Sequence, residues 1–387
     1  MESSQQPHFG AAQPSLPAPT AAAERPDSTA IPMPPTDGAA SSSKLSVLGR
    51  FHAGYFRISL SLCGQALLWK TLTEPSVANS FALRHAVRAL PSAAFHLLWS
   101  LALATLVLFC LLYALRCIFH FDSVKAEYYD HVGVNYFFAP WISGLLLLQC
   151  SPFFLPGTKP YVALWWVFST PVLALDVKIY GQWITKGKKF LTLVANPTSQ
   201  LSVIGNLIGA RAAAQMGRQE SAVFMFTLGM SHYLVLFVTL YQRFAGSDGL
   251  PTMLRPVFFL FVAAPSVASL AWVSIAGSVD TPSKMLFFLS LFLFTSLVCR
   301  LGMFKSSMKK FNVAWWAYSF PLTVLALASA EYAGEVKDGI ANWLMLALSV
   351  LSTLVFLGLM VSTALHSGDL LPEDDAFTAT LDTSSSS

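Results

Sequence analysis

The sequence predicts an all-α membrane protein: ten transmembrane helices, paired as five helical hairpins, around a central path. Three observations predict it. The chain is 55% hydrophobic and only 11% charged, where a soluble protein carries about 25% charge. Ten apolar stretches of roughly 20 residues, the length that crosses a bilayer's hydrocarbon, fill the chain from about residue 50 to residue 366. Alternate stretches carry a proline or glycines in mid-span, with hydroxyls and aromatics beside them. A lipid-facing helix has no partner for a carbonyl that proline leaves free, whereas a helix lining a cavity can accept one.

The spans run at about 51–72, 91–118, 130–150, 158–178, 197–217, 219–242, 254–276, 284–301, 310–330 and 338–366. Span one carries Ser59, Ser61 and Gly64, while span two is nearly pure Leu, Ala, Val and Phe. Span three has Pro140 and Gly144; span four departs from the alternation with Pro171. Span five holds Thr198, Ser199, Gln200, Ser202, Asn206, Arg211 and Gln215, which a membrane tolerates only if neighbours shield it or water wets one face. Span six contains a lone His232; span seven contains Pro265, Ser266 and Ser269. Spans eight and ten resemble span two, and span nine carries Ser319, Pro321 and Thr323. The odd spans therefore form an inner ring and the even spans an outer one.

Proline lacks an N–H, so each mid-span proline predicts a kink and an unpaired carbonyl four residues earlier, at Tyr136, Phe261 and Ala317. Phe137-Phe138-Ala139-Pro140, Phe261 to Pro265 and Tyr318-Ser319-Phe320-Pro321 share an aromatic shortly before proline, a trace of internal repetition. Phe320 adjoins Pro321, with Trp316 one turn earlier on the same face. An aromatic there can block a narrow path, and a rotamer change can clear it. The candidate lining is Ser59, Phe138, Pro140, Ser202, Phe261, Pro265, Ser266, Trp316, Ser319 and Thr323.

Charge sets orientation and excludes functions. An even number of spans leaves both termini on one side, and the excess of Lys and Arg on that side predicts that it is cytoplasmic. Residues 1–49, rich in Pro, Ser and Ala, and residues 367–387, acidic and then Ser/Thr-rich, cannot bury a core and are expected to be disordered cytoplasmic segments flanking a channel-like domain at 50–366. The first 45 residues contain no apolar signal-peptide core. Acids near the spans are Asp176, Glu220 and Glu331, all toward span ends; Arg57 and Arg211 are the anion-attracting candidates. A path lined by hydroxyls and a few arginines, without buried carboxylates, suits anions better than cations or a proton relay. The five cysteines lie in or beside apolar spans and are expected to be buried small hydrophobes, without a CxxC pair. No metal cluster, cofactor fingerprint or catalytic motif occurs, so the chain is not expected to be an enzyme. No basic cluster suits nucleic acid; Lys186, Lys188 and Lys189 fit a lipid headgroup region.

Six stretches carry a family resemblance: Arg50-Phe51-His52-Ala53-Gly54-Tyr55-Phe56-Arg57-Ile58-Ser59; Val134-Asn135-Tyr136-Phe137-Phe138-Ala139-Pro140-Trp141; Val194 to Pro197 leading to Leu201 to Asn206; Ser231-His232-Tyr233 through Tyr241-Gln242-Arg243; Ala263-Ala264-Pro265-Ser266; and Ala314 to Pro321. Together they resemble the plant slow-type (S-type) anion channels of the tellurite-resistance/dicarboxylate-transporter family, along the whole of residues 50–366. The resemblance implies ten transmembrane helices in five hairpins, a pore through each protomer and a homotrimer. It implies nitrate and chloride permeation at the plasma membrane, malate in some members, and a guard-cell setting. The family's occluding phenylalanine precedes the proline of the ninth helix, which matches Phe320-Pro321 here. In the family's plant members opening follows phosphorylation of long cytoplasmic tails, so the resemblance implies a protein kinase as a partner, while the tails here are short. The short tails match the family's shorter subgroup. Two alternatives to a conducting channel therefore stand: a non-conducting subunit in a mixed trimer with a homologue, and a secondary carrier for malate and other dicarboxylates.

Overall fold

The computed structural model describes residues 48–73, 92–244, 252–300, 302 and 311–366. Apart from residues 48 and 49, the predicted terminal segments lie outside the described residues. Every described secondary-structure element is helical: α1 (Phe56–Thr73), α2 (Ser92–Phe119), α3 (Phe121–Tyr129), α4 (Gly133–Tyr136), α5 (Ala139–Gln149), α6 (Lys159–Val194), α7 (Gln200–Gln215), α8 (Gln219–Phe244), α9 (Leu260–Ala276), α10 (Thr281–Val298), α11 (Ser319–Val336) and α12 (Gly339–Leu365), with short 3-10 segments between some of them.

Five of these helices close a ring. α1 packs on α5, α5 on α7, α7 on α9, α9 on α11, and α11 back on α1. The five are buried along nearly their whole length. Against their outer sides lie α2 on α1, α6 on α5, α8 on α7, α10 on α9 and α12 on α11. These outer helices turn large apolar side chains outward, among them Leu97, Leu111, Phe224, Phe292 and Leu354. The contrast is sharp: the span that contains α11 is 94% buried and α2 only 17%.

Seven helices among the described residues are long and apolar enough to cross a membrane, or eight if the bent pair Phe121–Tyr129 and Gly133–Gln149, which turns through 102°, counts as one span. The inner helices α1 and α7 are not among them. They carry Ser, Gln, Asn and Arg, which packing against other helices tolerates and lipid does not.

Each inner helix starts with a tight prelude. Ala53–Tyr55 precedes α1, α4 precedes α5, Pro197–Ser199 precedes α7, Thr252–Phe259 precedes α9 and Val313–Tyr318 precedes α11. A polar side chain caps most of these starts. Nδ1 of His52 accepts from the Gly54 N–H at 3.1 Å, Oδ1 of Asn196 from Thr198 at 2.9 Å and Oδ1 of Asn312 from Ala314 at 3.0 Å. Asp130 caps the turn before α4 by accepting from Val132 and Gly133. Such caps satisfy N–H groups that a helix start leaves orphaned.

These preludes correct the expectation of three mid-helix kinks. Pro140 falls in the first turn of α5, and Pro321 is the third residue of α11. Proline in a first turn breaks no hydrogen bond, because no partner exists there for the missing N–H. Of the three, only Pro265 lies inside a helix, α9, and Pro171 lies inside the outer helix α6. The cysteines differ in part from the expectation of burial: Cys63 and Cys150 are buried and Cys117 is half-buried, but Cys110 on α2 and Cys299, just past the end of α10, are exposed.

Candidate functional site

Phe320 stands where the ring of inner helices converges. A cavity of about 10 Å³ adjoins it, lined by Arg57 and Leu60 of α1, Tyr136 of α4, Leu201 of α7, Val257 and Leu260 at the entry to α9, and Trp316, Ala317 and Phe320. That volume is about the room one water needs. The Phe320 side chain is buried, 2% exposed, and faces α1 rather than the outside.

The helix carrying Phe320 is pinned on both sides. Nε2 of Gln65 on α1 donates to Oγ1 of Thr323 at 3.0 Å and to Oγ of Ser352 on α12 at 2.8 Å. Thr323 also donates to the Ser319 carbonyl at 2.9 Å. Nε1 of Trp316 donates to Oγ1 of Thr363 at 3.1 Å, and the Trp316 carbonyl accepts from Ser61 at 3.4 Å. Oγ of Ser319 is buried without a hydrogen-bond partner.

Arg57 is the cation at this level. Its Nε donates to the Gly54 carbonyl at 2.8 Å, and its guanidinium carbon lies 4.7 Å from the centre of the Tyr136 ring. Arg211 sits elsewhere, on α7. There Nη1 reaches Oε1 of Gln149 at 3.3 Å and Nη2 pairs with Glu331 at 3.5 Å, so a carboxylate already answers its charge.

The remaining predicted residues divide into two groups. Ser59 is buried on α1 with its hydroxyl 3.9 Å from the Cys63 sulfur. Phe138, at the start of α5, packs close to the bare backbone of Gly205. Pro265 is buried in the ring and Pro140 is half-buried. Ser202, Phe261 and Ser266 turn toward the outer helices: Ser202 bonds Tyr180 of α6, Phe261 packs edge-on against Phe237 of α8, and Ser266 bonds Ser290 of α10. In place of these three, Leu60, Tyr136, Leu201, Val257 and Leu260 wall the cavity. Tyr136 was marked by its place four residues before Pro140, beside the aromatic run; of the aliphatic four, Leu201 alone fell in a stretch that carries the family resemblance.

Two buried carboxylates also emerge. Glu127, missing from the sequence's count of acids, is fully buried; its Oε2 pairs with Nη1 of Arg116 at 2.8 Å and its Oε1 accepts from the Ala53 N–H at 2.7 Å. Asp176 accepts from Asn206 at 2.6 Å between α6 and α7. Neither lines the cavity at Phe320.

Comparison with known proteins bears on this arrangement. The chain matches the voltage-dependent anion channel family over residues 50–364. It is 60% identical over 330 residues to the S-type anion channel SLAH1 of Arabidopsis thaliana, covering 85% of each chain. It is 43% identical over 336 residues to the guard cell S-type anion channel SLAC1 of the same plant, which covers 86% of this chain and 59% of that one. A tellurite resistance protein TehA homolog of Haemophilus influenzae is 27% identical over 299 residues, 74% of this chain and 83% of that one.

Proposed function

The chain belongs to the voltage-dependent anion channel family, and from that premise we propose that it is a slow-type channel that lets nitrate and chloride pass down their gradients across the plasma membrane. The ions move along the axis enclosed by α1, α5, α7, α9 and α11, and Phe320, backed by Pro321 in the first turn of α11, is the gate. Ten helices cross the bilayer as five hairpins, and both termini are cytoplasmic. Three copies, or a mixture with a homologue, assemble with one path each.

One observation carries this reading: residues of α1, α7, α9 and α11 and of the segments leading into α5, α9 and α11 meet around Phe320, and the wall they form holds Arg57 and no carboxylate. Helix starts add to it. Five inner helices begin on the same side, and their N-terminal ends favour negative charge at that mouth. The paucity of acids along the axis weighs against a dicarboxylate–proton carrier.

Two-electrode recording in oocytes tests the function. Currents should reverse at potentials set by the nitrate and chloride gradients and be unmoved by a pH gradient. A reversal potential that follows pH would replace the channel with a coupled carrier. Silence alone, with altered currents on co-expression with a long-tailed homologue, would make the chain a regulatory subunit.

A further inference from the structure

We propose that Arg57 and Tyr136 form a binding site for one monovalent inorganic anion, set directly against Phe320, so that an ion rests at the gate while the gate is shut. The proposal rests on the reading of the ring's axis as an anion path and names a specific station on it.

The site is built from two buried donors without partners. Arg57 is 8% exposed and Tyr136 2%. Nη1 of Arg57 and the hydroxyl of Tyr136 are both shut off from solvent, and neither has a hydrogen-bond partner. Both residues line the same cavity, with Phe320 and Trp316. The guanidinium is held in place: Nε is committed to the Gly54 carbonyl, and the plane lies over the Tyr136 ring. Gly54 gives it room, since a methyl there would come within 3.1 Å of Nη2. Nη1 is left, buried and unpartnered, to aim at a ligand.

An orphaned neutral donor is costly, and an orphaned charge more so. Among the described residues no carboxylate pairs with Arg57. Glu127 on the neighbouring helix is committed to Arg116, Ala53 and Tyr113. Apart from the phenol, the other lining side chains are Leu60, Leu201, Val257, Leu260, Trp316, Ala317 and Phe320, which offer no acceptor. The missing partner is therefore an acceptor with a single negative charge. A dianion such as a dicarboxylate would leave surplus charge inside an apolar shell. With about 10 Å³ free, a halide suits the closed gate, and the planar nitrate requires the Phe320 ring to withdraw.

Thermal unfolding of the purified full-length protein in detergent tests the site without any current. Chloride or bromide is titrated against gluconate at constant ionic strength. Wild type should show a saturable rise in Tm. Arg57→Gln should abolish the saturable rise. Tyr136→Phe should raise the half-saturating concentration about tenfold, the loss of one hydrogen bond to a bound ion. Absence of a saturable rise in wild type, or an unchanged rise in Arg57→Gln, would overturn the site. If Arg57→Gln does not purify as a folded protein, Arg57→Lys and Tyr136→Phe decide: half-saturation unchanged in both overturns it. The arms separate this proposal from the channel reading. Arg57-dependent binding in a protein that passes no current in any variant would sink conduction and keep the site; robust anion current without saturable binding would do the reverse.

Discussion

A methyl group placed on Gly64 of α1 would stand 3.3 Å from Cδ2 of the Phe320 ring and 3.4 Å from the Thr323 methyl. The ring of the proposed gate is thus seated on bare backbone. That seat is what lets α1 and α11 approach closely enough to leave room for about one water beside the ring.

Crowding the seat should loosen the gate. In Gly64→Ala the ring must give by a few tenths of an ångström, which weakens the closed arrangement and leaves the open one less affected. Basal anion current in oocytes, corrected for surface protein, should rise above wild type, though less than on removing the ring itself. Equal or smaller current would mean that Phe320 moves without disturbing the path.

The entry to α1 depends on a buried ion pair. Glu127 accepts from Arg116, Ala53 and Tyr113, and Arg116 also donates to the Phe51 carbonyl at 2.6 Å. Removing one partner of such a pair strands the other charge, at a cost of about 3–5 kcal/mol. Glu127→Ala should lower the detergent melting temperature sharply and reduce surface expression. Replacing both charges together, as Arg116→Met with Glu127→Leu, should recover most of the loss. A double variant no better than the single would show that the hydrogen bonds to Ala53 and Phe51 matter more than the stranded charge.

How much of this was legible in the sequence depends on the kind of interaction. Lipid and packing act on whole faces, so the contrast between Leu-rich α2 and Ser- and Gln-bearing α1 or α7 reads directly as outer and inner. Phe320 stood out through its place before Pro321, and its side chain lies buried at the wall of the small cavity. The rotation of a helix was not: Ser202 and Ser266 are small and polar enough to face an axis, yet they bond Tyr180 and Ser290 on outer helices. A single hydroxyl finds its partner through a register that no periodicity states. Glu127 was hidden because it sits in a short, mostly exposed helix outside the long apolar runs, and its partner Arg116 lies on another helix. The prolines misled for a related reason: Pro140 and Pro321 sit in mid-span, but the helices begin there.

The turn between α11 and α12 stores strain. Lys337 has φ of 54°, and among the described residues it is the one non-glycine with positive φ. A left-handed conformation costs an ordinary L-residue roughly 1–2 kcal/mol, and glycine adopts it freely at a helix C-terminus. Lys337→Gly should therefore raise the melting temperature modestly and leave conduction unchanged. A fall in melting temperature would mean that the Lys337 side chain contributes more than its backbone costs.

The central claim is that Phe320 closes an anion path within one subunit, and its removal tests this most directly. Phe320→Ala and wild type should be compared in oocytes at matched surface expression, in chloride and in nitrate. The account predicts a large anion-selective current in the variant where wild type shows little. Unchanged or reduced current in well-expressed Phe320→Ala would contradict it.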